Sequence, residues 1–176
     1  EPFGIDESWL DVTASGIFGN GMEIAEKIRE RIKKELGITV SIGVSFNKVF
    51  AKLGSDMKKP DAITVISREN FTDKVWKLNV SDLLFVGKKT CEKLNQCGIF
   101  TIEDVTKCDD QMLQRLLGKA GAQLKQYALG EDKDPVKTYD ENDLPKSIGR
   151  TITMPKDISC VEEVWKIYIG IAEEIS

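Results

Sequence analysis

An α+β fold follows from three features of this 176-residue chain. Residues 1–67 alternate between runs of β-branched residues and amphipathic helical segments. From Arg68 the texture changes to short helices punctuated by glycine. After a polar stretch at 137–145, one strand-like run leads into one long amphipathic helix. The segments 1–67, 68–136, 137–145 and 146–176 are therefore taken as separate parts.

In the first part, Gly4 to Thr13 reads as a strand of β-branched and aromatic residues with Asp6 and Glu7 at its head. Asn20 and Glu23 have the spacing of a capping box. Ile24, Ala25, Ile28, Ile32 and Leu36 recur at helical intervals up to Gly37, which predicts a helix over 21–36 with one buried face. Ile38, Val40, Ile42 and Val44 alternate with small or polar residues, so 38–46 is expected to be a strand. Asn47 caps a second helix carrying Val49, Phe50 and Leu53, Pro60 stops it, and 62–66 is a third strand. The order β-α-β-α-β opens on a strand that reads as internal. It resembles the second part of a split βαβ, ferredoxin-like sandwich, and the chain is expected to start in mid-domain.

The second part is read as antiparallel helix pairs joined by glycine turns. Residues 71–78 form one helix, and Ser81 caps another containing Leu83 and Leu84. Gly87 opens a helix closed by Gly98, Thr101 with Asp104 caps the next, and Gly118 to Gly121 hinges a final pair ending at Gly130. Residues 137–145, with Asp140-Glu141-Asn142-Asp143, read as a linker. Residues 146–154 are expected to be a strand. Ser159 with Glu162 would box-cap a helix holding Val161, Val164, Trp165, Tyr168, Ile169 and Ala172. One strand cannot cover that apolar face, so the chain is also expected to stop in mid-domain.

Composition narrows the chemistry. There is no histidine, and Cys91, Cys97, Cys108 and Cys160 show no Cys-x-x-Cys spacing, which excludes zinc sites and histidine-dependent triads. Free thiols fit a cytoplasmic protein, and no apolar run is long enough to span a membrane. The net charge of −4 conceals a gradient. Residues 1–46 and 137–176 each hold 8 acids and 5 bases, whereas 47–67 holds 4 lysines and 2 aspartates. Partners respond to such local fields more than to the sum.

Four motifs carry the functional reading. Asp6-Glu7 offers paired oxygen donors of the kind hard divalent cations take together with substrate phosphates. Neighbours on an ideal strand face opposite ways, so the pair can meet one metal cluster only at a hairpin end or bulge beside Gly4. A third carboxylate is needed to hold two ions. Asp11, on the same face as Trp9, is read as structural. The second motif is a lysine helix in which Lys48 and Lys52 share a face and Lys59 lies at the end beside Pro60, a mobile charge suited to a triphosphate. The third is the turn Leu84-Phe85-Val86-Gly87-Lys88-Lys89-Thr90, where a helix N-terminus can bind a phosphate without reading sequence, and Gly118-Lys119 offers a second such turn. The fourth is the basic run Lys146-Ser147-Ile148-Gly149-Arg150.

In this order the four motifs resemble the Y-family (translesion) DNA polymerases, closest to the DNA polymerase IV branch, over essentially the whole chain. Gly4 to Thr13 looks like the family's Ser-Ile-Asp-Glu-Ala-Tyr-Leu-Asp-Val-type motif. Residues 41–60 are similar to its palm segment ending in Lys-Pro, 85–105 to the thumb helix-hairpin-helix, and 146–150 to the beginning of the little finger. The resemblance implies a partial palm over 1–67, a thumb over 68–136, a linker over 137–145 and the first strand and helix of a little finger over 146–176. It implies a template-directed, Mg²⁺-dependent nucleotidyltransferase that copies damaged DNA. Asp6 would bridge two Mg²⁺ ions, and Glu7 would ligate the ion that lowers the pKa of the primer 3′-hydroxyl. Lys59 would contact the triphosphate, with Lys52 on the same face. Gly87, Lys88, Lys89, Gly118 and Lys119 would hold DNA phosphates, and Arg150 the template backbone. Primer–template DNA and an incoming dNTP are the implied partners, with a sliding clamp met through residues beyond this chain.

Ser8 and Trp9 replace the family's common Ala and Tyr, and Phe85 stands where many members have Gly, which implies a looser approach of DNA to that turn. The family's first catalytic aspartate, its fingers and its sugar gate precede the motif at Gly4, so the chain alone is expected to be inactive. Two other readings give distinct products: a nucleotide cyclase on a related palm would make cyclic nucleotide, and a non-enzymatic helix-hairpin-helix module would bind DNA through 68–135 alone.

Overall fold

Asparagine side chains start the first two helices of the computed structural model, which describes residues 1–138 and 147–175. The Asn20 side chain accepts from the Glu23 amide, and the Glu23 carboxylate takes the Asn20 amide at 2.8 Å. This box opens α1 (Gly21–Leu36), which closes on left-handed Gly37 as the glycine predicts. Asn47 caps α2 (Lys48–Met57) by accepting from the Phe50 amide at 2.8 Å, while its amide nitrogen donates to the Gly130 carbonyl at 3.2 Å. One side chain therefore starts α2 and grips the far end of the helical region.

Between and after these helices lie β1 (Ile42–Ser45) and β2 (Ile63–Ile66), paired in parallel with Ile42 opposite Ile63 and Ser45 opposite Ile66. Helix α2 is the crossover, as a parallel connection requires. It lies close against β1. A Cβ on Gly43 would sit 1.8 Å from the Ala51 carbonyl oxygen, and Gly54 faces Gly43 from the helix side. Only glycine allows this approach.

Two expected strands do not form. Residues 4–13 are not a strand. The chain instead doubles back, with a bridge between Pro2 and Ser8, Phe3 N–H donating to Glu7 O at 2.9 Å and Trp9 N–H to Glu1 O at 2.8 Å. Residues 147–154 are likewise without strand structure. In both places the alternation is present, but among the described residues no strand lies alongside to share a ladder. The first strand-like run of 38–46 shortens to its last half for the same reason.

The helical region follows as α3 (Phe71–Val75), a short 3₁₀ turn at Val80–Asp82, α4 (Lys88–Gln96), α5 (Ile102–Lys107), α6 (Asp110–Leu117) and α7 (Lys119–Leu129). Thr101 and Asp104 form the expected capping box. The cap expected at Ser81 belongs to Asn79, whose side chain accepts from the Ser81 amide at 2.9 Å. Gly118 alone, at φ 65°, makes the hinge between α6 and α7. Gly121 lies inside α7, where a Cβ would meet the Leu113 carbonyl at 2.3 Å.

The described chain divides into two compact units, one over Glu1–Thr138 and one over Tyr139–Ser176. In the first, a continuous core runs from Val49, Phe50, Leu53 and Ile66 through Val75, Val80 and Leu83 to Leu94, Ile102, Val105, Leu113 and Leu124. Phe46, Phe50, Phe71 and Trp76 pack ring to ring at its centre, with centroids 5.6–6.0 Å apart. The Trp76 indole donates to the Ala128 carbonyl at 3.0 Å. The second unit contains α8 (Val161–Ile175), with Arg150 paired to Glu174 at 2.9 Å. Its helix begins one residue later than a Ser159 cap requires: the Cys160 carbonyl takes the first helical bond and its thiol donates to Glu162. Most of the expected linker and Lys146 lie outside the described residues. Among the described residues no helix is long and apolar enough to cross a membrane.

Candidate functional site

The doubled-back segment at the head of the chain is docked on α2 by charge and aromatic contact. The Trp9 indole donates to the Lys48 carbonyl at 3.0 Å, and the Lys48 ammonium lies over the Trp9 ring, 4.6 Å from its centroid. Lys48 also donates to both carboxylate oxygens of Glu1 at 2.8 Å. Phe3 packs against Trp9 with centroids 4.5 Å apart. Asp11 accepts from the Thr13 amide at 2.9 Å, a turn contact that makes it structural.

This docking puts Asp6 and Glu7 at a hairpin end, the geometry in which adjacent carboxylates can share one site. Asp6 is exposed, and its Oδ1 lies 3.9 Å from where a Cβ on Gly4 would be. Glu7 faces α2 and accepts from the Lys52 ammonium at 2.9 Å. Lys52 donates at the same time to Asp56 Oδ2 at 2.6 Å, and the other Asp56 oxygen takes Lys59 at 2.8 Å. The result is an alternating chain of charge, Glu7–Lys52–Asp56–Lys59, across a sequence distance of 45 residues between its first two members.

The network is set by burial as well as pairing. The Lys52 side chain is 17% exposed. Burial by itself would lower its pKa, but the Asp56 and Glu7 carboxylates outweigh that and hold it above the ordinary lysine value. For Asp56 burial would raise the pKa, and the ammoniums of Lys52 and Lys59 outweigh it and pull it below the usual aspartate value. Lys52 is thus a fixed cation between two carboxylates. Lys59, 57% exposed, has Asp56 as its one ion-pair partner among the described residues.

As a metal site the hairpin end is partial. Asp6 and Glu7 are hard oxygen donors suited to a divalent ion, but among the described residues no group of three acidic, cysteine or histidine side chains is placed to hold one. The donors present do not by themselves make a two-ion site.

The glycine turns form a separate group. Gly87 and Gly118 cap α4 and α7 without any side-chain bond, whereas α1, α2, α5 and α6 are each capped by Asn, Thr or Asp. The first-turn amides of α4 and α7 therefore keep donors available. Lys88, Lys89 and Lys119 are exposed, and among the described residues no carboxylate pairs with them. Both turns border one cleft lined by Leu84, Phe85, Thr90, Leu117, Ala120 and Tyr127 among others. Phe85 takes φ 69°, the left-handed region that favours glycine, and its exposed ring packs near Tyr127 at 6.1 Å. Phe85, where the resemblance implies Gly in many members, thus falls on a position whose backbone is that of a glycine.

Sequence reasoning missed Asp56, although its i,i+4 spacing from Lys52 was a readable sign. It also missed Gly43, whose packing fixes where α2 carries its lysines. Arg150 lies in the second unit, with Glu174 as its partner.

Residues 1–56 match the impB/mucB/samB family. The chain is 51% identical to DNA polymerase IV of Acetivibrio thermocellus, over 99% of this chain and 44% of that protein. It is 43% identical to DNA polymerase IV of Clostridium perfringens strain SM101, over all of this chain and 48% of the relative. Among solved structures, a Y-family DNA polymerase chimera is similar with a TM-score of 0.79 at 30% identity, covering 94% of this chain and 48% of that one. An insertion ternary complex of Dbh DNA polymerase is similar with a TM-score of 0.66 at 33% identity, covering 73% and 38%. The chain spans about half the length of the curated relatives it matches. In sequence and in fold the chain is thus similar to Y-family DNA polymerases, the curated relatives it matches being named DNA polymerase IV.

Proposed function

We propose that this chain is part of a template-directed DNA polymerase that carries out translesion synthesis by two-metal nucleotidyl transfer, acting in the cytoplasm on primer–template DNA and dNTPs. The observation that carries the reading is the 51% identity to a DNA polymerase IV across nearly the whole chain, joined to a hairpin end that presents Asp6 and Glu7 beside a lysine helix. In this reading 1–67 is the later part of a palm, 68–136 a thumb, and 146–176 the start of a little finger.

Asp6 and Glu7 would hold Mg²⁺, which when bound supplies charge neutralisation at the triphosphate and activation of the primer hydroxyl. The chain's own side chains do the rest of what is assigned here. Lys59 presents its ammonium to the triphosphate and offsets charge there. Lys52 keeps Glu7 oriented toward α2. The uncapped starts of α4 and α7, with Lys88, Lys89 and Lys119, accept backbone phosphates without reading bases. Arg150 is assigned to the template backbone.

With two carboxylates in place of three, the isolated chain is inactive in this reading. The test is a chimera in which the chain replaces the matching segment of the Acetivibrio thermocellus DNA polymerase IV. Primer extension by the chimera, its loss on Asp6→Asn, and no extension by the chain alone are the expected results. A folded chimera that extends primers equally well with Asp6→Asn would remove the assignment.

A further inference from the structure

We propose that Asp56 is a positioning residue that, anchored on the enclosed Lys52, holds Lys59 as a phosphate-facing cation; this deepens the triphosphate reading given for Lys59 and rests on it. Three observations carry it. Asp56 divides its two oxygens between two ammoniums, Oδ2 to Lys52 at 2.6 Å and Oδ1 to Lys59 at 2.8 Å. Lys52 is nearly enclosed, so its direction is fixed and Asp56 inherits a fixed anchor. Lys59 lies beyond the end of α2, on residues with no helical bonds to order them, and Asp56 is the side chain that ties it back to the helix.

An ordinary surface pair would leave lysine order to chance, because long exposed side chains lose entropy on being fixed and gain little Coulomb energy. Here the carboxylate has already ordered the cation that the phosphate will use. Asp56 touches neither substrate nor metal in this assignment and acts only through the two lysines.

Charge and positioning make opposite forecasts for its removal, which makes the role testable. The probe is inorganic tripolyphosphate, titrated into the intact chain at low salt and followed by amide shifts around Lys59 and by calorimetry. If Asp56 were merely a negative charge near the site, Asp56→Asn would bind the anion more tightly. Positioning predicts that Asp56→Asn binds about threefold to tenfold more weakly, the factor expected from leaving one lysine side chain to be ordered on binding. Asp56→Glu, which keeps both pairs, is expected to restore most of the affinity. Equal or tighter binding by Asp56→Asn, with Lys59→Ala still weakened, overturns the role of Asp56 and leaves the triphosphate reading standing. Unchanged binding by Lys59→Ala removes the triphosphate reading itself, and the role of Asp56 with it.

Discussion

The hairpin end on α2 and the glycine turns of α4 and α7 handle charge in opposite ways. At the hairpin, Glu7, Lys52, Asp56 and Lys59 are already paired among themselves, and Lys48 is paired with Glu1 and Trp9. At the turns, Lys88, Lys89 and Lys119 have no carboxylate partner among the described residues and stand beside helix starts that no side chain caps. A paired network fixes geometry before a ligand arrives, which suits groups that must meet reacting atoms within tenths of an ångström. Open donors with mobile cations suit a polyanion that is held at many points and must slide. The same residue type, lysine, is thus paired in one region and open in the other, and under the proposed function that difference is one between precision and tolerance.

The largest effect expected from this contrast is catalytic. In the chimera with the Acetivibrio thermocellus relative, Asp6→Asn or Glu7→Gln is expected to lower primer extension on the order of 10³-fold, as losses of key transition-state stabilisers do. Lys88→Ala at the turn should cost far less at saturating DNA. Single-turnover primer extension measures both, and comparable losses from the two regions would erase the distinction.

The next concerns what holds the paired network in place. Gly43→Ala puts a methyl 1.8 Å from the Ala51 carbonyl, so β1 and α2 must separate. The expected destabilisation is about 3 kcal/mol, at the upper end for overpacking against backbone. Denaturant melts check it. Gly87→Ala, where a Cβ meets nothing within 4 Å, should change stability far less.

These positions show what was legible in the sequence. Asn20, Asn47, Thr101 and the closing glycines at 37 and 130 could be read directly, because a cap is settled by side chains three or four residues away. The opening strand and the strand at 146–154 could not, because alternation states a preference and a ladder needs a neighbour. The contact of Glu7 with Lys52 has no local signature at all, since the docking of Trp9 on Lys48 creates it. Phe85 lies between these cases. Its departure from glycine was visible in the motif, but only the backbone at φ 69° shows what that glycine supplies.

For the open region the measurable signature is salt. Binding of the chain to duplex DNA should weaken with rising salt, and removing Lys88 and Lys89 together should reduce the slope of log K against log salt by about 2, roughly one for each phosphate left without its lysine. Lys59→Ala should leave that slope nearly unchanged, because its ammonium is assigned to the triphosphate. A slope that falls equally for both variants would mean that the two lysine groups serve one ligand.

The smallest effect lies inside the paired network, in its response to acid. Asp56 is held below the ordinary aspartate value of 3.8 by Lys52 and Lys59, against the opposing pull of burial. A group whose folded pKa is depressed adds stability above its unfolded pKa and loses it as pH falls through the folded one. Wild type should therefore exceed Asp56→Asn in stability at pH 7, with the margin shrinking below about pH 4 and vanishing once the carboxylate is protonated in both states. The Asp56 side chain is 44% exposed, so solvent screening keeps the margin small, well under about 1 kcal/mol for each of its two pairs. Urea midpoints from pH 7 to pH 3 would show it. A margin as large at pH 3 as at pH 7 would mean that Asp56 stabilises by shape or hydrogen bonding, and that the pairing of Lys52 and Lys59 through it has no energetic expression.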